Sequence, residues 1–184
     1  MNQSHLWTVA AWVLVSGCAA APPQPAAAPA EPAATITFRT KTLRSFEHAT
    51  VTDQYILGPN IDVTRSGDAY RGRAHGEIVD LQWDGDTLAG KIGNGTPTSL
   101  RYREYPDGFV LEGVFSGARG LFALRSRRMT GVVGARRFDL VTDDGMAYRE
   151  QTISLQPMEV VLSPSLVGLP RRQQAAFLAL FLRR

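Results

Sequence analysis

The sequence predicts an all-β domain. It reads as an antiparallel up-and-down meander of about 10–13 short strands curled into a barrel or half-barrel, with a short C-terminal helix. Three observations predict this. From Ile61 to Glu150, apolar and polar residues alternate in short runs, the period of a strand with one buried face. Turn signals part the runs: Ser66-Gly67, His75-Gly76, Asp84-Gly85, Gly93-Asn94-Gly95, Pro106-Asp107-Gly108, Ser116-Gly117 and Asp143-Asp144-Gly145. Glycine recurs inside the runs at Gly72, Gly90, Gly113 and Gly131, spaced by 18, 23 and 18 residues, which marks a hairpin repeat.

Two flanking strands come first. Thr35 to Leu43 alternates through Ile36 and Phe38, and Thr50 to Leu57 carries Val51, Tyr55 and Leu57. In the meander, loop length sets register. Two-residue turns at Ser66-Gly67, His75-Gly76 and Asp84-Gly85 pair Ile61 with Gly72, Gly72 with Val79, and Val79 with Gly90. The inward row continues through Leu100, Gly113, Phe122, Gly131 and Phe138, alternating large residues with glycine. The next inward row runs from Val63 and Tyr70 to Leu140 and Tyr148, and every member is apolar or aromatic. On the outer face the same register sets Asp62, Arg71 and Asp80 side by side, Arg101 beside Glu112, and Asp139 beside Arg149. Such pairs disfavour a slipped register. Glycine in a strand costs packing and entropy, so a row of four implies a sharp bend. Ser126-Arg127 and Gly134-Ala135 are connections without a strong turn signal.

Thr152 to Leu162 is rich in strand formers but broken at Pro157, which suits an edge or bulge. After residue 163 the period changes. A helix over about 170–183 starts at Pro170 and is apolar all round from Ala175 to Leu182, with Arg183 and Arg184 suited to the negative end of its dipole. A helix this apolar must be covered. The candidate receptors are the concave inner face and an outward patch of Val114, Leu121 and Val132.

The N-terminal stretch has a different character. Leu6 to Val15 is an apolar run too short to span a bilayer, followed by Ser16-Gly17-Cys18. Val15-Ser16-Gly17-Cys18 resembles the lipobox of bacterial lipoproteins. That resemblance implies a signal peptide over 1–18 and lipid attachment at Cys18. It covers about a tenth of the chain, and residues 1–5 lack the Lys or Arg of the pattern. Ala19 after the cysteine implies the outer membrane. Residues 19–34 are almost wholly Ala and Pro, with five of the eleven prolines; such a segment serves as an extended linker. The β-meander domain is then 35–163 and the C-terminal segment 164–184.

Net charge is +3, from eighteen Arg, two Lys and seventeen acids. Acids are interleaved with the arginines, which argues against nucleic-acid binding. Cys18 is the only cysteine, which leaves no disulfide framework and no cysteine metal site.

Candidate chemistry is sparse. His48 has Glu47 beside it and Asp53 nearby, and His75 sits in a turn. No G-x-S-x-G accompanies them, so no catalytic residue is assigned. Gly85 to Lys91 mimics a phosphate loop, but Ile92 replaces the hydroxyl residue and the context is a hairpin. Asp80, Asp84 and Asp86 read as turn and cross-strand residues rather than a calcium site. Arg119, Arg125, Arg127, Arg128, Arg136 and Arg137 form a stretch without an acid. The meander sends Arg125, Arg127 and Arg128 to one rim and the other three to the opposite rim. These are the candidate binding residues, toward an envelope protein, a glycan or lipid. Trp83, Tyr102, Phe109, Phe115 and Phe122 fall inward by parity and read as core. No metal or cofactor is expected. The leading expectation is an envelope lipoprotein tethered to the outer membrane, with a non-catalytic binding or scaffolding domain. Alternatives are a carrier of an apolar ligand within the curled sheet and, more weakly, an envelope hydrolase.

Overall fold

The computed structural model describes residues 34–40, 46–133, 136–150 and 158–183. Cys18, the Ala/Pro segment up to residue 33, the Gly134-Ala135 turn and the stretch around Pro157 lie outside them. The described residues form fourteen strands: β1 (Ala34–Thr40), β2 (Phe46–Val51), β3 (Tyr55–Gly58), β4 (Ile61–Ser66), β5 (Ala69–Ala74), β6 (Glu77–Asp84), β7 (Thr87–Ile92), β8 (Thr96–Tyr105), β9 (Gly108–Phe115), β10 (Ala118–Arg125), β11 (Arg128–Val133), β12 (Arg136–Val141), β13 (Ala147–Glu150) and β14 (Met158–Leu162). Each pairs antiparallel with its sequence neighbours, and β1 closes on β14 with Ile36 opposite Leu162. The sheet is therefore a closed up-and-down barrel.

The strand count exceeds the expected range, partly because Thr50–Leu57 is not one strand. Thr52 Oγ1 accepts the amide hydrogens of Gln54 and Tyr55, both at 3.1 Å, and turns the chain between β2 and β3. That turn corrects the expected parity. Ile56 faces the core, while Tyr55 and Leu57 point outward at 38% and 50% exposure.

Several predicted pairs hold. Gly72 faces Val79, Leu100 faces Gly113, and Gly131 lies between Phe122 and Phe138. Elsewhere the pairing slides by two residues: Val63 meets Gly72, Leu81 meets Gly90, and Leu111 meets Phe122. In the first two ladders the turns explain it. Gly67-Asp68 and Gly85-Asp86 are the turn residues, with glycine first at φ 59° and 53°, the position that requires positive φ in a II′ hairpin. Moving a turn by one residue slides the ladder by two and preserves parity. Every large residue of both predicted inward rows is accordingly buried. Outside, Arg71 donates to Asp80 at 3.2 Å, and Arg149 donates to Glu159 at 2.8 Å rather than meeting Asp139.

The four repeat glycines serve two purposes. Gly72, Gly90 and Gly113 have φ of 148°, 143° and 152°. A Cβ there would stand 2.0, 2.1 and 2.2 Å from the carbonyl oxygens of Asp62, Asp80 and Ser99 on the neighbouring strand. These positions bend the wall by close backbone approach. At Gly131 a Cβ would instead meet the Phe138 ring at 2.0 Å, because that ring lies over the glycine.

Fourteen strands ~4.8 Å apart and tilted ~40° enclose a backbone cylinder ~28 Å across. Inward side chains narrow this to roughly the width of one helix. The lumen holds that helix. After β14 the chain forms α1 (Pro164–Val167), capped by Ser163, and then α2 (Arg171–Phe181). Every residue from Gln173 to Leu182 is buried. Phe177 packs edge-on to Tyr70, with ring centroids 5.6 Å apart. The helix expected over 170–183 is thus confirmed with slightly tighter bounds, and the inner face is its receptor. A chain of rings, Trp83, Tyr102, Phe109, Phe122 and Phe138, follows the inner wall at 5.7 to 6.1 Å spacing. The outward wall carries Asp62, Arg71, Asp80, Lys91, Arg101 and Glu112, all exposed. Charge at these positions is unlike the apolar outer band of a barrel whose strands cross lipid. No helix among the described residues is long and apolar enough to cross a membrane.

Candidate functional site: a cleft at the upper rim

The upper rim is the end where β1 begins, β14 ends and α2 enters the lumen. Three helix residues fasten α2 there. Arg171 donates to the carbonyls of Tyr105 and Pro106 in the β8–β9 hairpin and pairs with Glu104 at 3.4 Å. Arg172 donates to the Gly85 carbonyl and lies over the Trp83 ring at 4.6 Å. Gln173 donates to the Thr52 carbonyl at 3.0 Å. At the lower rim, His75 Nε2 lies 3.2 Å from the carbonyls of both Leu180 and Phe181. Carbonyls only accept, so Nε2 carries the hydrogen. Arg183 pairs with Glu77 and donates to Ser116 Oγ at 2.8 Å.

Where α1 and the start of α2 meet the rim, a cleft of about 540 Å³ opens. Its apolar lining is Phe109, Leu124, Met146, Tyr148, Leu162 and Val167, and its polar groups include Arg125, Asp107, Asp144, Arg171 and Gln174. Met146 and Val167 are 37% and 50% exposed and flank the opening. Arg125 pairs with Asp107 at 2.5 Å and stacks on Tyr105 at 3.8 Å from the ring centre. Asp144 has no cation partner among the described residues. Its Oδ1 accepts from Ala147 N at 2.9 Å, Met146 N at 2.8 Å and Thr142 Oγ1 at 2.7 Å. These bonds, the two backbone amides first, lower its pKa to about 2. Burial and the Asp144 charge push the Tyr148 phenol above its usual range. The cleft thus offers an apolar floor, fixed donors and one unpaired carboxylate, the makings of a binding site.

The predicted arginines divide between the rims as expected. Arg125, Arg127 and Arg128 lie at the upper rim and Arg119 and Arg137 at the lower; Arg136 starts β12 at the lower rim, its side chain outside the described residues. Of the six, Arg125 lines the cleft. Arg128 is held by Asp139 through two bonds, which lowers the Asp139 pKa. Glu47 and His48 point to opposite sides of β2: Glu47 is buried and accepts from Asn60 at 2.6 Å, while His48 is exposed and lies 3.4 Å from Thr37 Oγ1. Among the described residues, no three His, Cys, Asp or Glu converge as metal ligands.

Sequence reasoning missed Arg171, Gln174 and Asp144. Arg171 and Arg172 did carry a signal: two cations at a helix N-terminus oppose the dipole, so they needed partners elsewhere. Compared with protein-family models, curated proteins and solved structures, the chain gives no match.

Proposed function

We propose that the protein is an envelope lipoprotein, held at the outer membrane through Cys18, whose barrel acts by binding or scaffolding at its surface. One observation carries the second half of this reading: the apolar lumen a carrier would use is occupied by Phe177, Leu178, Leu180 and Phe181, each 2% exposed or less. Recognition is thereby left to the rims and the outer wall, with the upper cleft as the leading site.

The test expresses the full chain in a Gram-negative host fed an alkyne fatty acid. Wild type takes up the label and fractionates with outer membranes, and Cys18→Ser loses both. Native mass spectrometry of the detergent-extracted protein then shows the polypeptide with its covalent acyl groups alone. An unlabelled wild type overturns the anchor, and a stoichiometric non-covalent lipid restores the carrier reading.

A further inference from the structure

Outward positions on β4 to β8 are mostly polar or charged, whereas on β9 to β11 half are apolar: Val110, Val114, Leu121, Ala123 and Val132 sit among Glu112, Arg119, Arg125, Arg128 and Thr130. Val114 is 42% exposed and the other apolar residues are half-buried. With α2 in the lumen, none of the described elements covers this wall. One row crosses it in register: Glu112 on β9, Leu121 on β10, Val132 on β11 and Arg137 on β12. Glu112 and Arg137 are exposed, and neither makes an ion pair among the described residues. A dent of about 350 Å³ lies at the Arg137 end, lined by Leu121, Thr130, Val132 and Arg137 among others.

We propose that this wall binds a second copy of the chain about a two-fold axis parallel to the strands, between β10 and β11. That operator reverses the row. It sets Glu112 against the partner's Arg137, and by symmetry makes the same contact again, as an isologous interface requires. Leu121 then meets the partner's Val132 beside the dent. The other in-plane axis, across the strands, stacks Glu112 on its own copy and Arg137 on its own copy, which like-charge repulsion disfavours. The carboxylates of Glu112 and Asp139 within the same wall argue against an anionic membrane as the occupant. The two charged ends stand ~14 Å apart, three strand spacings. The contact is small, so association is weak, with Kd on the order of 10–100 µM.

Sedimentation equilibrium of the full chain, in zwitterionic detergent at no more than one protein per micelle, tests this. Wild type dimerises in that range. Glu112→Arg or Arg137→Glu alone places like charges at both symmetric contacts and raises Kd at least ~tenfold, about 1.4 kcal/mol. The double reversal returns Kd to within ~threefold of wild type. These residues are exposed, so melting stays unchanged; Glu112→Gln and Arg137→Gln replace any reversal that unfolds and weaken the dimer less. A wild type monomeric at ~1 mM, single reversals without effect, or a double that fails to recover each overturns the proposal. So does a monomeric Cys18→Ser protein that floats with phosphatidylglycerol but not with phosphatidylcholine vesicles.

Discussion

Gly72→Ala separates the close-approach role of the repeat glycines from ordinary turn strain. At Gly72 the added methyl would lie 2.0 Å from the Asp62 carbonyl oxygen and 2.8 Å from the Val63 Cα, both backbone atoms that no rotamer change can move. Its φ of 148° is also a region an L side chain rarely adopts, costing about 1–3 kcal/mol. Wall displacement adds overpacking strain of about 1–3 kcal/mol, so the substitution costs roughly 2–6 kcal/mol in all. Gly67 supplies the control. Its φ is 59°, yet nothing lies within 4 Å of the Cβ it would carry. Gly67→Ala therefore meets the left-handed penalty alone, about 1–2 kcal/mol. For a domain of this size each kcal/mol moves Tm by about 2–4 °C. Gly72→Ala should lower Tm by about 4–24 °C and Gly67→Ala by only about 2–8 °C, measured by circular dichroism with urea titration as a check. Equal losses at the two sites would refute close approach as the reason for the glycine row.

Phe177→Ala, at a fully buried site in the lumen, should cost about 3–5 kcal/mol, seen as a fall in the urea midpoint at unchanged m value. The Asp144 carboxyl should titrate near pH 2 when followed by NMR. A depressed folded-state pKa contributes stability above the unfolded value of 3.8 and loses it as pH falls through about 2, so Asp144→Asn should remove an acid-side dependence in that window and none at neutral pH. Arg171→Ala breaks the bonds to the β8–β9 hairpin and should speed amide exchange in that hairpin and the first turn of α2 while lower-rim exchange stays unchanged.

Parity was the legible quantity in this sequence. Alternation decides inward from outward, and no one-residue shift of a turn can undo it. Turn placement was harder, since Ser66-Gly67-Asp68 and Asp84-Gly85-Asp86 offer turn formers in both frames. Only the φ of the glycine decides between them. Thr50–Leu57 misled for a related reason: Val51, Asp53, Tyr55 and Leu57 keep strand spacing across a turn made by a threonine hydroxyl. The arginine split between rims followed from the meander. The cleft did not, because its walls come from three rim connections and two helices far apart in sequence. Its residues have ordinary local roles, Asp107 and Asp144 in turns, Phe109, Leu124 and Tyr148 on strands, Arg171 and Gln174 in the helix.

The cleft and the filled lumen are two consequences of one packing decision. The N-terminal cations of α2 oppose its dipole, and it is too short to be stable alone in water. Its position is therefore dictated by the barrel: hairpin carbonyls receive Arg171 and Arg172 above, and His75 and Glu77 meet its C-terminal end below. Arg171 and Gln174 of that helix are also walls of the cleft. Arg125 and Arg171 line that cleft together, so a group seated between them would touch barrel and helix at once. By linkage such a ligand would stabilise the helix-filled barrel. A binding event at the upper rim would accordingly be felt by the core of the barrel.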